Sequence, residues 1–304
     1  MATLRDIQRR IRSVQSTQKI TRAMKLVAAA KLRRAQERIV SARPYAAQMA
    51  ELLGHLGSGS DEAVHPLLEQ REGPRRQIVI ITADKGLAGA FNANIIRRSL
   101  DLIRESSAAD LTLVVVGRKA RDFYRRRPYT VKRVLIGFWD RLAYSHACEL
   151  ADFFMRQYLD DEVDEVWLLY NEFRSVAVQR PVRMQLLPIP RTEGHAAESV
   201  AVRGEPRSGG EPSPSTAVDY IYEPGPEEIL GELLPRHVRM QVYRALMESA
   251  AGEHGARMTA MEAATANAKE MIEVLTIQYN KARQEKITKE LLDIVGGAEA
   301  LKQG

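Results

Sequence analysis

Positions spaced alternately three and four apart from the start of the chain read Leu4, Ile7, Ile11, Val14, Gln18, Thr21, Lys25, Ala28, Leu32, Ala35, Ile39, Ala42, Ala46, Met49, Leu53 and Leu56. Thirteen of these sixteen are apolar, and the exceptions are clustered at Gln18, Thr21 and Lys25. A 3.5-residue period sustained this long is the seam of a coiled coil, because it keeps one stripe turned towards a partner helix. Pro44 falls inside the pattern, which continues on both sides, so it predicts a bend rather than an end. About fifty helical residues extend roughly 75 Å. No compact domain of this length needs such a helix, so residues 1–56 are expected to project. The alanines of the seam would let the partner approach closely.

A second long helix is predicted from Glu227 towards Leu301, led in by Pro224 and Pro226. Its apolar positions are Ile229, Leu233, Val242, Leu246, Met258, Met261, Ala264, Ala268, Met271, Leu275, Ala282, Ile287, Leu291, Ile294 and Val295. Pro235 is placed to kink its first turns, and Gly252 and Gly255 should each weaken its middle by roughly 1 kcal/mol relative to alanine. Two long helices at opposite ends of one chain, each with an apolar stripe, are natural antiparallel partners.

Between them the pattern changes. Residues 57–74 are richer in Gly, Ser and Pro and read as a linker. Residues 77–82, 111–116, 131–136 and 166–170 are short aliphatic runs, separated by helical stretches at 93–105, 118–127 and 143–158. That alternation predicts an α/β layer over 75–190 with a largely parallel sheet. Residues 182–187, before Pro188, read as a further strand at an edge. Residues 191–218 are rich in Gly, Pro, Ser and Glu and lack aromatics, which predicts a mobile loop before the C-terminal segment 219–304.

Charge sharpens this picture. The chain carries +6 in 304 residues, yet residues 1–56 alone hold twelve basic and three acidic side chains. So basic a segment calls for an acidic partner: nucleic acid, anionic lipid or an acidic protein surface. Cys148 is the single cysteine, which excludes an internal disulfide and a Cys-rich metal site and fits a reducing compartment. No apolar run approaches the ~18 residues of a membrane span. The amphipathic N-terminus lacks the features of a secretory signal.

Candidate chemistry is sparse. Lys85-Gly86-Leu87-Ala88-Gly89 follows a strand and precedes a helix, but it has neither the spacing of a P-loop nor that of a dinucleotide fingerprint. It reads as a tight turn whose glycines take backbone angles other residues avoid. The six histidines show no paired ligand spacing, and no nucleophile–base or carboxylate pair stands out. No catalytic residue, cofactor or metal is expected. The tail, by contrast, places Ile287, Leu291, Ile294 and Val295 at the free end of a rod. With no core of their own to enter, they should seat in an apolar surface supplied by another protein.

ITRAMKLVAAAKLRRAQ (20–36), DKGLAGAFN (84–92), DYIYEP (219–224), ARMTAMEAATANA (256–268) and YNKARQEKITKELLDIVGGA (279–298) together resemble the γ subunits of F-type ATP synthases, in the same order and across nearly the whole chain. The resemblance implies an α/β central Rossmann-like domain beneath a long antiparallel two-helix coiled coil formed by the N- and C-terminal helices. It implies a rotor shaft without a catalytic site, running up the axis of an α3β3 hexamer whose α and β subunits it contacts. Its foot would bind the ε subunit and the c-ring, meeting the membrane only through the c-ring, on the cytoplasmic face of a bacterial plasma membrane. By the same resemblance, Arg283 and Gln284 correspond to a catch contact with a β subunit. Met24 and Lys25 face an acidic loop of β, and Arg257 matches an arginine important for coupling. Ile287, Leu291, Ile294 and Val295 turn in an apolar sleeve, and Tyr220, Tyr222 and Glu223 meet the c-ring. Two departures stand out. Ala88 takes a position often held by cysteine, and 191–218 is longer than usual.

The competing reading is a basic coiled-coil protein that binds nucleic acid or acts as a scaffold. It predicts a steep salt dependence of binding. Against it, the basic residues lie inside the heptads rather than ahead of them, and Tyr45 is the only nearby aromatic. The shaft reading therefore expects no nucleic acid among the partners.

Overall fold

The computed structural model describes residues 3–59, 65–106, 110–190 and 225–302. The loop expected over 191–218, and Tyr220, Tyr222 and Glu223, lie outside them. The chain divides into two compact units, residues 1–29 with 257–304 and residues 30–256.

Helix α1 runs Leu4–Gly59 and helix α5 runs Pro226–Lys302, with Pro44 and Pro235 inside them. The start of α1 is set by Thr3. Its hydroxyl accepts from the Asp6 N–H at 3.3 Å, while the Asp6 carboxylate accepts from the Thr3 N–H and hydroxyl. This reciprocal cap satisfies donors the first turn leaves over. α1 ends three residues later than the heptad pattern alone indicates.

In the first unit the helices pair antiparallel. The Thr21 and Thr265 hydroxyls meet at 2.8 Å, and Lys25 Nζ lies 2.5 Å from Glu262 Oε1. The seam follows the heptads. Leu4, Ile7, Ile11, Val14, Gln18, Thr21, Lys25 and Ala28 are all buried or half-buried. On α5 the matching stripe is Met261, Thr265, Ala268, Ile272, Leu275, Tyr279 and Ala282. Met271, counted with the apolar stripe from sequence, faces outward instead, and Ile272 and Tyr279 take the inward places. Counting from Thr21–Thr265 along both helices sets Leu4 opposite Ala282. Beyond Ala282, α5 continues to Lys302, some 30 Å at helical rise.

The second unit holds a five-stranded sheet in the order β3-β2-β1-β4-β5. Its strands are β1 Arg75–Ile81, β2 Asp110–Val116, β3 Thr130–Leu135, β4 Glu165–Phe173 and β5 Gln179–Leu187. β1 to β4 are parallel and β5 joins antiparallel at the edge. The helices between are α2 Phe91–Glu105, α3 Arg118–Tyr124 and α4 Tyr144–Leu159. β1 and β2 are aliphatic without alternation because both of their faces are covered. Ile78, Ile80, Leu113 and Val115 pack on Ile95, Leu102, Ala120 and Tyr124 from α2 and α3. Val79, Ile81, Val114 and Val116 point the other way, onto Leu150, Phe154 and Tyr158 of α4 and Leu234, Val238, Val242 and Leu246 of α5. Side chains alternating along a strand thus divide between two cores.

Candidate functional site

In open α/β sheets, ligands bind beyond the carboxyl ends of the strands, where the strand order reverses. Here that point lies between β1 and β4, and the chain itself fills it. A Cβ on Gly252 of α5 would stand 3.1 Å from the Phe91 ring, 3.4 Å from Gln179 Cγ and 3.8 Å from Asn171 Cβ. A Cβ on Gly255 would stand 3.4 Å from Gln179, Phe173 and the Val176 carbonyl. The two glycines that weaken α5 as a helix are what bring its backbone against the strand ends. Phe91 is buried with Ala83, Ala88 and Ala256, and the Asn171 amide donates to the Phe91 carbonyl at 3.4 Å.

The neighbouring strand ends are tied by one carboxylate. Asp84 accepts from the Arg118 N–H at 2.9 Å and from the Gly137 N–H at 2.7 Å, linking the loops after β1, β2 and β3. Thr82 Oγ1 donates to the Val116 carbonyl and accepts from the Ala120 N–H. The turn expected at Lys85–Gly89 is present, with one correction. The residues at positive φ are Gly89 (54°) and Leu87 (60°), not Gly86. Leu87 is exposed despite that conformation.

Asp140 stands between two lysines, Lys31 of α1 at 2.7 Å and Lys85 of the turn at 2.9 Å. Their hydrogen bonds hold its carboxyl well below the usual carboxylate range. Together with Arg38, which donates to the Leu142 carbonyl, and with Leu32 and Ala35 packed on Ala251, this fastens the lower part of α1 within its unit. None of these hydrogen-bonded pairings was legible in sequence, because Lys31 and Asp140, for example, are 109 residues apart.

The residues singled out in the sequence fall into three groups. Met24 and Lys25 are half-buried on α1, and Lys25 is already paired with Glu262. Arg257 is 8% exposed and engaged within the chain. Arg283, Gln284, Ile287, Leu291, Ile294 and Val295 are all exposed on the part of α5 that lies beyond Ala282. Among the described residues no group of three metal-ligating side chains occurs, and no helix is long and apolar enough to cross a membrane.

A helix pair whose α5 member outruns α1 and an α/β unit whose strand-end crevice is filled by its own helix define a protein that presents helical surface where a sheet of this topology ordinarily takes a ligand. A family model described as ATP synthase matches residues 3–301. The ATP synthase gamma chain of Pelotomaculum thermopropionicum is 46% identical over 302 residues, covering 99% of this chain and 100% of that one. The gamma chain of an Anaeromyxobacter species is 49% identical over 307 residues, with 99% and 100% covered. Among solved structures, a chain of the central stalk and c-ring of Tetrahymena thermophila mitochondrial ATP synthase is 26% identical with a TM-score of 0.57, covering 81% of this chain and 99% of its own. A chain from the Euglena gracilis mitochondrial ATP synthase, at 19% identity and a TM-score of 0.64 over 99% of this chain and 95% of its own, shares the fold. The chain belongs to the ATP synthase gamma-chain family. Its role is that of the central stalk.

Proposed function

We propose that this chain is the shaft that turns inside a ring of three α and three β subunits, with its base on the ε subunit and the c-ring. It carries no catalytic site of its own and works on the cytoplasmic face of a bacterial plasma membrane, touching the bilayer only through the c-ring. The observation that carries this reading is the end of α5. Ile287, Leu291, Ile294 and Val295 are each about half or more exposed on a helix that has outrun its partner. A stripe of that kind is stable in water only at a cost and suits an apolar sleeve.

The mechanism requires asymmetry. A shaft with different side chains on each face touches three equivalent subunits differently, and only such differential contact can shift the conformational populations of a partner. Exposed basic residues of α1, among them Arg9, Arg12, Lys19 and Arg22, suit acidic surfaces passing by. Exposed ion pairs contribute about 0–1 kcal/mol each, weak enough to be broken as the shaft turns. Arg283 and Gln284 offer directional donors just below the apolar tail.

Arg283→Ala, placed in the assembled enzyme, should lower coupled ATP turnover while the purified chain unfolds at the same urea concentration as before. Turnover equal to that of the unchanged enzyme would remove the catch assignment. Failure of the chain to assemble with α, β and ε subunits at all would remove the rotor reading.

A further inference from the structure

The outward side of α5 carries a second heptad series. Two residues beyond the seam positions Ile272, Leu275, Tyr279 and Ala282 lie Val274, Ile277, Lys281 and Gln284, and the same spacing continues to Thr288, Leu291 and Val295. Outward positions of a two-helix coil are ordinarily polar, since nothing in the pair covers them. Here the series is apolar at both ends and polar in the middle. The upper apolar end, Leu291 and Val295, belongs to the tail stripe. The lower end, Val274 and Ile277, is 48 and 69% exposed, and Met271 beside it, 52% exposed, widens the apolar arc to about 120° at 100° per residue. Helix pairing does not require it, because Ile272 and Leu275 serve the seam. A contiguous exposed apolar patch on one helix face marks a contact surface.

We propose that Val274 and Ile277, with Met271 beside them, form a second bearing contact against an apolar inner surface of the surrounding ring. Ile277 lies about 21 Å and Val274 about 25 Å along α5 from Leu291. The inference rests on the rotor reading and deepens it. A rod held at its tip alone tilts about that point under a sideways load, whereas two contacts separated along the axis resist tilting. The polar stretch between them holds Arg283 and Gln284 at a constant distance from the ring wall. Glu270, the next position of the series one turn below Val274, and Glu273, beside Ile277, are exposed and bound the patch with negative charge, which disfavours an acidic occupant. The partner surface at this level is therefore apolar and unlike the acidic one that α1 requires.

The test places a photoreactive benzoylphenylalanine at Ile277, at Leu291 or at the outward control position Thr276 in the assembled complex. Adducts to a ring subunit from both 277 and 291, stronger than from 276, are expected. Val274→Asp with Ile277→Asp should lower coupled ATP synthesis by about tenfold or more, since carboxylates seat poorly against an apolar wall. The unfolding midpoint of the purified chain should not move, because both side chains are exposed in it. Adducts from 291 without adducts from 277, or full synthesis by the double variant, would overturn the lower bearing and leave the rotor reading standing. No adduct from either position would remove both.

Discussion

Replacing Gly255 by alanine should stabilise the α/β unit, and replacing Gly252 should not. Both glycines lie in the interior of α5, where alanine is favoured by about 0.8–1.0 kcal/mol on propensity. The added methyl group decides the rest. At Gly255 it would meet Gln179, Phe173 and the Val176 carbonyl at 3.4 Å, the edge of ordinary contact. Burying it there adds a fraction of the ~0.8 kcal/mol of a methylene, so the net expectation is about 1 kcal/mol of stabilisation. At Gly252 the same methyl would stand 3.1 Å from the buried Phe91 ring, which must give by a few tenths of an ångström inside a packed cluster. Overpacking of this sort costs about 1–3 kcal/mol, which cancels the propensity gain or exceeds it. Trp139 and Trp167 both belong to this unit, so tryptophan fluorescence during urea unfolding reports on it directly. For a unit of this size, 1 kcal/mol corresponds to about 2–4 °C in midpoint temperature. A lower midpoint for Gly255→Ala, or an equal rise for Gly252→Ala, would refute the reasoning about how α5 seats on the sheet.

Three further outcomes follow from the same structure. Burial lowers the pKa of His237 from 6.5 to about 4. Its contribution is therefore complete above pH 6.5 and lost as the pH falls towards 4, about 3 kcal/mol in all; urea midpoints at pH 7 and pH 4.5 should converge in His237→Gln. Asp84→Ala leaves the Arg118 and Gly137 N–H groups without their acceptor, and should lower stability by about 1–2 kcal/mol, with Asp84→Asn recovering part of it on the same fluorescence assay. In the coil, a double-mutant cycle of Thr21→Val and Thr265→Val should give a coupling of about 1 kcal/mol, read from helical circular dichroism on melting. A coupling near zero would mean the hydroxyls merely lie close.

Much of the architecture was readable because it rests on periodicity. Every described α1 seam position from Leu4 to Ile39 proved buried or half-buried, since a 3.5-residue repeat can serve only one partner face. The aliphatic runs became strands in a mostly parallel sheet for the equally local reason that both of their faces are covered. On α5 the reading slipped by one residue at Met271, because alanines and exposed apolar side chains blur the stripe there. Gly252 and Gly255 were read correctly as weak helix formers, but their use was hidden for a different reason. Propensity prices a helix alone, whereas their use lies in what the helix touches, and that depends on Phe91 and Gln179 far away in sequence. The ties made by Asp84 and Asp140 were hidden likewise, since a charge announces no partner until the fold supplies one.

The closure of the strand ends has a consequence for a machine that handles nucleotide. A sheet of this topology with an open edge would compete for the very molecule the enzyme makes, and it would do so inside the moving part. Here Phe91 and the backbone of α5 meet at the strand ends instead, at a separation that leaves a Cβ on Gly252 only 3.1 Å from the ring. An axle closed in this way is expected to turn at the same rate whether its product is scarce or abundant around it, and equilibrium dialysis of the purified chain against ATP should recover none bound.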